Sequence, residues 1–367
     1  MGLNLAKLFE GAVEHRASDI HLSEGATPYV RIDGILHPIK GDPLDREDMK
    51  KILEEIMPPQ MNDVLEQRRG ADYSHQPNEN IRFRVSTYYE RDRLRTVMRL
   101  IPLRIYSIDE LELPDVVARI AEYNRGCVLL TGVTGSGKST TLAAMLLHIN
   151  ESYPRCIITL EDPIEFIHEN RRSVISQREI GRDIPEFRLG LVQALRQDPD
   201  VILVGEMRDP DTIRIALRAA ETGHLVFSTL HTTNAVHTVE RILAEFPESE
   251  HPLLREMLGN NLRATITQRL VRRAEGKGRV AAQEIMIVNP TIQKLLLENH
   301  IQDIGGVIRG GEDDMQTFDQ ALGNLVRAEI ITMEEALSSA EDEAAFKRYV
   351  KGTTGTSDRG GIIAGFA

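Results

Sequence analysis

Four short apolar runs lie in the middle of the chain, with helical patterns between them. The runs comprise residues 127–131, 156–160, 201–204 and 225–228. Their hydrophobicity is continuous rather than alternating, which is typical of strands buried on both faces of a parallel sheet. After Pro210, one helical face comprises Ile213, Ala216, Leu217 and Ala220, and Gly223 follows as an end signal. This half of the chain therefore predicts a doubly wound α/β domain with a mainly parallel sheet.

The first hundred residues show a different pattern. A strand over 29–32, the turn Asp33-Gly34 and an apolar return over 35–39 indicate a β-hairpin. Residues 45–57 have the period of an amphipathic helix, and Pro58 ends it. Further strands are predicted over 81–89 and 93–101. The combination predicts an α+β domain.

An acidic connector at 107–114, with the sequence Ser-Ile-Asp-Glu-Leu-Glu-Leu-Pro, separates the two patterns. We predict an N-terminal domain over 1–106, a linker over 107–116 and an α/β domain with a helical C-terminal part over 117–351. The final segment, 352–367, is rich in Gly, Thr and Ser, and this composition predicts a disordered tail.

Composition narrows the class of protein. The 367 residues are 41% hydrophobic and 27% charged, which excludes wholesale disorder. A net charge of -12 argues against a surface that coats nucleic acid throughout. The two cysteines, Cys127 and Cys156, are too few for a disulfide framework or a four-cysteine zinc site, and their apolar neighbours predict buried thiols. With no export signal and no apolar stretch long enough for a bilayer, we expect a cytoplasmic protein that meets membranes through a partner.

Residues 132–139 match the eight-position phosphate-binding loop, with the sequence Gly-Val-Thr-Gly-Ser-Gly-Lys-Ser. A predicted strand precedes this P-loop, and a predicted helix over 140–149 follows it. Lys138 would reach the β- and γ-phosphates, and the Ser139 hydroxyl would bind Mg²⁺. The alternative is a glycine-rich turn without a ligand. The expected nucleotide contacts are Thr134, Gly135, Ser136, Gly137, Lys138, Ser139 and Thr140.

Two acidic groups follow predicted strands. Glu206 comes after the run 201–204, with Gly205 where most such proteins carry Asp, and would hold Mg²⁺ through water. Glu161, Asp162 and Glu165 follow the run 156–160, where carboxylates are well placed for general-base work. The alternatives are a surface carboxylate for Glu206 and a solvated acidic loop for the cluster.

The histidine and arginine side chains allow more than one interpretation. His224 and His231 could sense a γ-phosphate, or could be hydrogen-bonded structural histidines. Residues 68–104 contain nine Arg and no Lys. Arg82 and Arg84 share one predicted strand face, and Arg91, Arg93, Arg95 and Arg99 have the spacing of another. These arginines could form a solvated face, contact a nucleotide held by an adjacent subunit, or bind nucleic acid.

Together the motifs resemble one family, the secretion ATPases of type IV pilus and type II secretion machines, and within it the pilus retraction ATPases. The resemblance covers about residues 3–350. It depends on the P-loop, the cluster 161–165 and five further segments. These segments are Ala-Ser-Asp-Ile-His-Leu at 17–22, Val-Gly-Glu-Met-Arg-Asp at 204–209, Glu-Thr-Gly-His at 221–224, Leu-His-Thr-Thr at 230–233 and Met-Gln-Thr-Phe-Asp at 315–319.

The resemblance implies a PAS-like N-terminal domain and a RecA-like ATPase domain, assembled as a homohexameric ring that uses ATP and Mg²⁺. It implies Glu165 as general base supported by Glu161 and Asp162, Glu206 as the organiser of Mg²⁺ and water, and His224 and His231 as a histidine box. Arg82, Arg84, Arg95 and Arg99 are the candidates for contacting nucleotide across the subunit interface. The implied partners are the inner-membrane pilus platform protein and a paralogous retraction ATPase, with no direct contact to nucleic acid. The implied location is the cytoplasmic face of the inner membrane.

The direction of mechanical work is the least specific part of the resemblance. Extension ATPases of the superfamily are longer and usually carry a four-cysteine metal site, so this chain favours retraction. The retraction group carries an Ala-Ile-Arg-Asn-Leu-Ile-type helix, whereas here Pro290 precedes Thr-Ile-Gln-Lys-Leu-Leu at 291–296. A pseudopilus or DNA-uptake ATPase and a weakly active accessory subunit are the alternatives.

Overall fold

The computed structural model describes residues 3–351, except residues 16, 33, 80, 102, 103 and 208. The predicted disordered tail, 352–367, lies outside the described residues. The chain divides into two compact units. The first comprises Met1–Ile105 and Asp162–His168, and the second comprises Tyr106–Glu161 and Glu169–Ala367.

In its described residues, the first unit contains a six-stranded antiparallel sheet and three helices. The helices are α1 (Leu5–Glu14), α2 (Arg46–Ile56) and α3 (Met61–Arg68). The strands are β1 (Asp19–Ser23), β2 (Tyr29–Ile32), β3 (Ile35–Pro38), β4 (Gly70–Asn78), β5 (Ile81–Glu90) and β6 (Arg93–Ile101). Their order in the sheet is β3-β2-β1-β6-β5-β4. The predicted α+β architecture of this part of the chain is confirmed.

Local chemistry explains the elements of the first unit. Ile32 pairs with Ile35 across the predicted hairpin, and Gly34 takes the positive φ of +83° that the tight turn needs. Helix α2 begins with a capping box between Asp45 and Asp48, which satisfies two N–H groups at its start. One face of the sheet and helices α1 and α2 bury a common apolar core, whose largest fully buried members include Phe9, Phe83, Met49 and Met98.

The second unit is built on a seven-stranded sheet. The strands are β7 (Gly126–Thr131), β8 (Cys156–Glu161), β9 (Val174–Glu179), β10 (Val201–Val204), β11 (Leu225–Leu230), β12 (Leu262–Arg272) and β13 (Arg279–Ile287). Their order is β13-β12-β7-β11-β10-β8-β9, and β13 alone runs antiparallel to its neighbour. The carboxyl ends of β7, β8, β10 and β11 therefore meet at one edge of the sheet, which we call the carboxyl edge.

Eleven helices complete the second unit in the part of the chain that the structure describes. Those before β12 are α4 (Asp115–Ala121), α5 (Lys138–Ser152), α6 (Phe187–Ala194), α7 (Pro210–Glu221), α8 (Ala235–Ala244) and α9 (His251–Asn261). Those after β13 are α10 (Pro290–Leu297), α11 (Ile304–Gly310), α12 (Phe318–Arg327), α13 (Met333–Ser339) and α14 (Glu343–Val350). Within the described residues, no helix is long and apolar enough to span a membrane.

Burial explains the continuous apolar runs. Every residue of β7, β10 and β11 is buried, as expected for strands covered on both faces. Full burial of one large aliphatic side chain, such as Leu129 or Leu130, stabilises the fold by about 1.5–3 kcal/mol. The predicted doubly wound α/β domain is confirmed. Its C-terminal helices form a separate small core around Phe318, Leu322 and Phe346.

Three details differ from the sequence predictions. Cys127 is fully buried, and burial raises the pKa of its thiol to about 12, but Cys156 is only half-buried because it stands at the start of β8. Arg91 lies in the turn between β5 and β6 with a φ of +51°, so it does not share the strand face of Arg93. The predicted connector contributes buried Ile108 and Leu113 to the core of the second unit.

Candidate active site

The P-loop joins β7 to α5 at the carboxyl edge, and two of its glycines are sterically required. At Gly132, with a φ of +139°, a Cβ atom would lie 2.4 Å from the main-chain oxygen of Gln268. At Gly137, with a φ of +89°, a Cβ atom would lie 2.7 Å from the side-chain nitrogen of the same glutamine. A side chain at Gly132 would therefore force the loop away from β12, and one at Gly137 would displace the Gln268 side chain; the positive φ at both positions also favours glycine.

Two polar groups of the P-loop match what a phosphate requires. The Nζ of Lys138 donates to the main-chain oxygens of Gly132 at 2.8 Å and Val133 at 3.2 Å, so the ammonium group lies over the loop. The Ser136 hydroxyl oxygen is buried and has no hydrogen-bond partner among the described residues. A buried hydroxyl of this kind is satisfied if a ligand oxygen enters the loop. The geometry therefore fits a bound phosphate.

The rest of the P-loop is accessible to a ligand. Val133, Thr134 and Gly135 at its crest are exposed, and Ser139 and Thr140 are half-buried in the first turn of α5. The N-terminus of this 15-residue helix directs unpaired backbone N–H groups toward the loop. The predicted nucleotide contacts at 134–140 thus surround one helix end, and Gly137 caps it in the left-handed region.

A buried glutamine braces the P-loop, and the sequence patterns gave no sign of it. The side-chain nitrogen of Gln268 in β12 donates to the Ser136 carbonyl oxygen at 2.7 Å. Its side-chain oxygen accepts from the hydroxyl of Thr141 in α5 and from the side-chain nitrogen of Gln283 in β13, each at 2.8 Å. Gln268 is 2% exposed. Strand β12 also carries Thr265, Thr267 and Arg269, so a polar residue at position 268 does not stand out in the sequence.

Glu206 and His231 meet at the carboxyl edge. Leu230 pairs with Thr131 in the parallel sheet, so His231 directly follows β11 where the P-loop follows β7. The Nε2 atom of His231 lies 3.5 Å from a carboxylate oxygen of Glu206, which is half-buried just beyond β10. The structure therefore brings two predicted site residues together at the carboxyl ends of β11 and β10, the two strands that follow β7 in the order of the sheet.

Glycine at 205 has a steric basis. A Cβ atom there would lie 3.1 Å from the main-chain oxygen of Leu160 and 3.4 Å from the Cα atom of Glu161. The Gly205 N–H donates to that same Leu160 oxygen at 2.8 Å, and its own carbonyl oxygen accepts from the Thr229 hydroxyl at 2.6 Å. Just beyond the parallel strands β8 and β10 the two chain segments therefore approach closely, and a side chain at 205 would crowd the main chain of β8. The Mg²⁺-binding role of Glu206 stays a prediction.

The predicted acidic cluster is divided between the two units. Glu161 ends β8 at the carboxyl edge of the second unit, where its Oε1 accepts from the Thr159 hydroxyl at 2.7 Å and the Gln177 amide at 3.2 Å. Asp162 and Glu165 belong to the compact part of the first unit that comprises Asp162–His168, and there Glu165 is half-buried. The general-base role of Glu165 therefore stays a prediction.

His224 lies at the opposite edge of the sheet from His231. The two residues flank β11 and are seven residues apart in the chain, so they are about 23 Å apart, because each strand residue advances about 3.3 Å. The His224 Nδ1 lies 2.9 Å from the Ala219 carbonyl oxygen and 3.2 Å from the Thr222 hydroxyl. The structure does not bring His224 to the P-loop of its own chain, and its contacts are those of a hydrogen-bonded structural histidine.

Four candidate arginines lie on the sheet of the first unit, in different surroundings. Arg84 and Arg99 are exposed and stand directly opposite each other on β5 and β6. Arg95 is exposed and forms an ion pair with Glu90. Arg82 is buried, with a guanidinium nitrogen 3.4 Å from the side-chain oxygen of Gln76.

A buried carboxylate supports Arg99. Asp19 in β1 accepts a 2.9 Å hydrogen bond from the Arg99 Nε, and Arg31 lies 3.8 Å away. Burial raises the pKa of Asp19, but hydrogen bonds from Ser18 and Arg99 and the charge of Arg99 outweigh it and hold the pKa below its ordinary value. Asp19 therefore stays ionised and orients the Arg99 side chain.

Protein ligands alone would not hold a metal ion here. Across residues 3–351, apart from the six positions not described, no three His, Cys, Asp or Glu side chains group in a way that could hold a metal. Ser139 and Glu206, the predicted ligands, carry the oxygen donors that Mg²⁺ prefers, and Mg²⁺ commonly takes substrate phosphates as further ligands. The residues present thus fit Mg²⁺ that arrives with a nucleotide.

Comparison with known proteins gives a consistent result. The family described as "Type II/IV secretion system protein" matches residues 3–303. The chain is 44% identical over 334 residues to "Twitching motility protein" of Neisseria gonorrhoeae, with 89% of each chain covered. It is 42% identical over 340 residues to "Type IV pilus retractation ATPase PilT" of Pseudomonas aeruginosa, covering 92% of this chain and 98% of that relative. The solved structure of "the Pilus Retraction Motor PilT and Bound ADP" matches with a TM-score of 0.87 and 41% identity, over 94% of this chain and 99% of that one.

Proposed function

The chain belongs to the type II/IV secretion system protein family and is an ATP-hydrolysing enzyme, and we propose that it uses this hydrolysis to power retraction of type IV pili. The observation that carries the proposal is the carboxyl edge, where the P-loop, Glu206 and His231 follow three neighbouring strands of one sheet. The similarity to a twitching motility protein and a pilus retraction ATPase supports the mechanical output.

In the proposed mechanism the P-loop binds the triphosphate. Backbone N–H groups at the start of α5 and the Lys138 ammonium group neutralise phosphate oxygens, and the Ser136 hydroxyl gains a partner. Ser139 and Glu206 would hold Mg²⁺, which offsets the charge that develops on the phosphates during transfer. Most of the catalysis in such a site is positioning and charge stabilisation.

Water activation is proposed for the carboxylates of the predicted acidic cluster. Glu165 is the proposed general base, with Glu161 and Asp162 in support; the motif that these residues share with the family supports this assignment. His231 is proposed to sense the γ-phosphate, since it contacts Glu206 and directly follows the strand beside the P-loop. His224 lies at the other end of β11, so we do not assign it to the phosphate site of its own chain.

Arginines of the first unit are proposed to complete the site of a neighbouring subunit in a homohexameric ring. Arg84 and Arg99 are exposed and stand directly opposite each other, and Asp19 orients the Arg99 side chain from the neighbouring strand. Guanidinium groups bind phosphate in a bidentate manner, so this pair could contact one phosphate group together. Arg95 forms an ion pair with Glu90, and Arg82 is buried.

The proposed partner is the inner-membrane pilus platform protein, which would place the ring at the cytoplasmic face of that membrane. A direct test is complementation of a bacterial strain that lacks its retraction ATPase. Wild-type protein should restore twitching and reduce surface piliation, whereas Lys138→Ala should leave the cells piliated and non-motile. A wild-type protein that hydrolyses ATP in the same cells without restoring motility would contradict retraction and favour a pseudopilus or DNA-uptake motor.

One observation favours a second candidate, an accessory subunit of the retraction motor with weak activity. Helix α10 carries Gln293 and Lys294 where the retraction group has Arg and Asn. The Gln293 side-chain nitrogen donates to the Asn260 side-chain oxygen at 3.0 Å, and Lys294 lies 3.9 Å from Glu298, while Ile292 and Leu296 remain buried. Motility restored only when a second, paralogous retraction ATPase is co-expressed would support the accessory role.

A further inference from the structure

The loop that follows β11 is held in place from outside by two side chains. It comprises residues 231–234, begins with His231 and ends at Asn234, whose side chain caps α8. The Ala235 N–H, at the start of α8, donates to the Oε1 atom of Glu284 at 2.7 Å. A guanidinium nitrogen of Arg269 donates to the Thr233 carbonyl oxygen at 3.3 Å. The two contacts lie on either side of Asn234.

Glu284 and Arg269 come from one pair of strands. In the antiparallel register of β12 and β13, Glu284 pairs with Thr267, so Arg269, two residues further on, projects from the same face of the sheet. Gln268 and Gln283 form the neighbouring pair and project from the opposite face, where Gln268 braces the P-loop. One strand pair thus contacts the P-loop on one side and the His231 loop on the other.

The C-terminal helices hold these two side chains. Arg269 forms an ion pair with Glu341, and its guanidinium carbon lies 4.1 Å from the centre of the Phe318 ring. Glu284 is 8% exposed and lines a cavity of about 510 Å³ between β13 and helices α8, α11, α12 and α14. Other charged groups also line this cavity: Arg309, Asp319, Glu341, Asp342 and Arg348.

The surroundings of Glu284 raise the pKa of its carboxyl group. The pKa of Glu284 is raised to about 7, and burial is the largest cause. The charges of Glu341 and Asp319 also raise the pKa, whereas the hydrogen bond from the Ala235 N–H and the charge of Arg269 lower it. The carboxyl group therefore changes its charge, and the strength of its bond to the loop, near neutral pH.

We propose that Glu284 and Arg269 are positioning residues that fix the loop carrying His231, and that they thereby set the rate of ATP turnover rather than the affinity for nucleotide. The proposal rests on the proposed phosphate-sensing role of His231. It follows from the two contacts that bracket Asn234 and from the separate bracing of the P-loop by Gln268. The Arg269 contact ends on the loop itself, and the Glu284 contact ends on Ala235, the residue that directly follows the loop.

The test compares kcat and KM for ATP in Glu284→Ala, Glu284→Gln and Arg269→Gln. Glu284→Ala and Arg269→Gln should lower kcat by about tenfold, while KM stays within about twofold, because a displaced group costs rate more than binding. Glu284→Gln keeps a neutral acceptor for the Ala235 N–H. It should retain most of the kcat and lose the component of the wild-type pH profile that lies near pH 7. Glu335→Ala is the matched control, since Glu335 accepts the Arg272 N–H at the far end of β12.

Hydrogen–deuterium exchange gives a readout independent of turnover. Peptides that span 231–238 should exchange faster in Glu284→Ala and at the wild-type rate in Glu335→Ala. The proposal is overturned if Glu284→Ala folds with an unchanged kcat, if KM rises instead of kcat falling, or if Glu284→Gln keeps the wild-type pH profile. If the wild type binds nucleotide in a formed ring without turning it over, the proposed function fails. If peptides 231–238 exchange at the wild-type rate in Glu284→Ala, the positioning role of Glu284 is refuted, whether or not the proposed function holds.

Discussion

Gln268 donates a 2.7 Å hydrogen bond to the Ser136 carbonyl oxygen, and it links two segments that lie 132 residues apart in the chain. The glutamine is buried between β7 and β13, and it also accepts from Thr141 at the start of α5. The curvature of the P-loop therefore depends on β12 as well as on its own glycines. A loop held in this way presents its N–H groups without rearranging when nucleotide binds.

Replacing Gln268 should weaken nucleotide binding. Gln268→Leu removes the donor to Ser136 and leaves the Thr141 hydroxyl and the Gln283 amide without their acceptor, at a cost of about 1–3 kcal/mol for each buried group that stays unpaired. We expect ADP affinity to fall by about tenfold or more, together with a lower unfolding temperature, measured by calorimetry. Gln302→Leu is the control, because that glutamine bonds Glu240 at the surface. Unchanged ADP affinity in a folded Gln268→Leu protein would show that the glycines alone shape the loop.

Glu165→Gln should separate binding from hydrolysis. The amide cannot accept a proton from water, so turnover should fall by about 10²-fold or more while ATP still binds. Binding is measured with a fluorescent nucleotide and turnover by phosphate release. Glu169→Gln, an exposed carboxylate four residues along the chain, serves as control. If Glu165→Gln hydrolyses ATP at the wild-type rate, the base is another residue.

Mixed rings test whether arginines act across subunits. Arg84→Ala with Arg99→Ala should remove turnover at constant ring size, and Lys138→Ala should remove nucleotide binding. Mixed together, the two inactive proteins should regain turnover, because an intact P-loop of one protomer meets intact arginines of the other. Arg93 is exposed on β6, the strand that carries Arg99, and Arg93→Ala should have little effect on turnover. No recovery in rings that demonstrably contain both variants would show that these arginines act within their own chain or not at all.

Glu284 also predicts a pH dependence of stability. Its pKa rises on folding from 4.5 to about 7, so folding favours the protonated carboxyl. The stability that the protonated Glu284 contributes is fully present below pH 4.5 and is lost as the pH rises through 7. A pKa shift of this size corresponds to about 3 kcal/mol in the free energy of unfolding. Glu284→Gln should therefore be more stable than the wild type at pH 8, with a smaller difference at pH 5.5. A difference that stays constant between these pH values in urea unfolding would contradict the buried, shifted carboxyl.

The sequence predicted the central strands and the P-loop well because both depend on local patterns. Strand β10 occupies the predicted residues 201–204, and the parallel sheet follows from its continuous apolar run. The helix after the P-loop begins two residues earlier than predicted, at Lys138, since Gly137 already supplies the cap. Strand β1 was missed although Ile20 and Leu22 alternate with Asp19, His21 and Ser23, which is the pattern of a half-buried strand.

The site residues were harder to predict where their positions depend on strand pairing between segments that are distant in the sequence. Gln268 was missed because only the register of β12 with β7 brings it to Ser136. His224 and His231 have similar sequence contexts, yet they flank one strand and so stand at opposite edges of the sheet. Arg91 was placed on a strand face, but the turn at Arg91 and Asp92, where both residues have a positive φ, removes it from β6.

The central claim is that a ring of these chains hydrolyses ATP with groups from neighbouring subunits. Steady-state Mg-ATPase activity, measured against protein concentration with particle size in parallel, tests it most directly. Specific activity should rise sharply over the concentrations at which hexamers form, and Lys138→Ala should stay inactive throughout. Specific activity that is constant while the protein passes from monomer to ring would contradict catalysis across subunits.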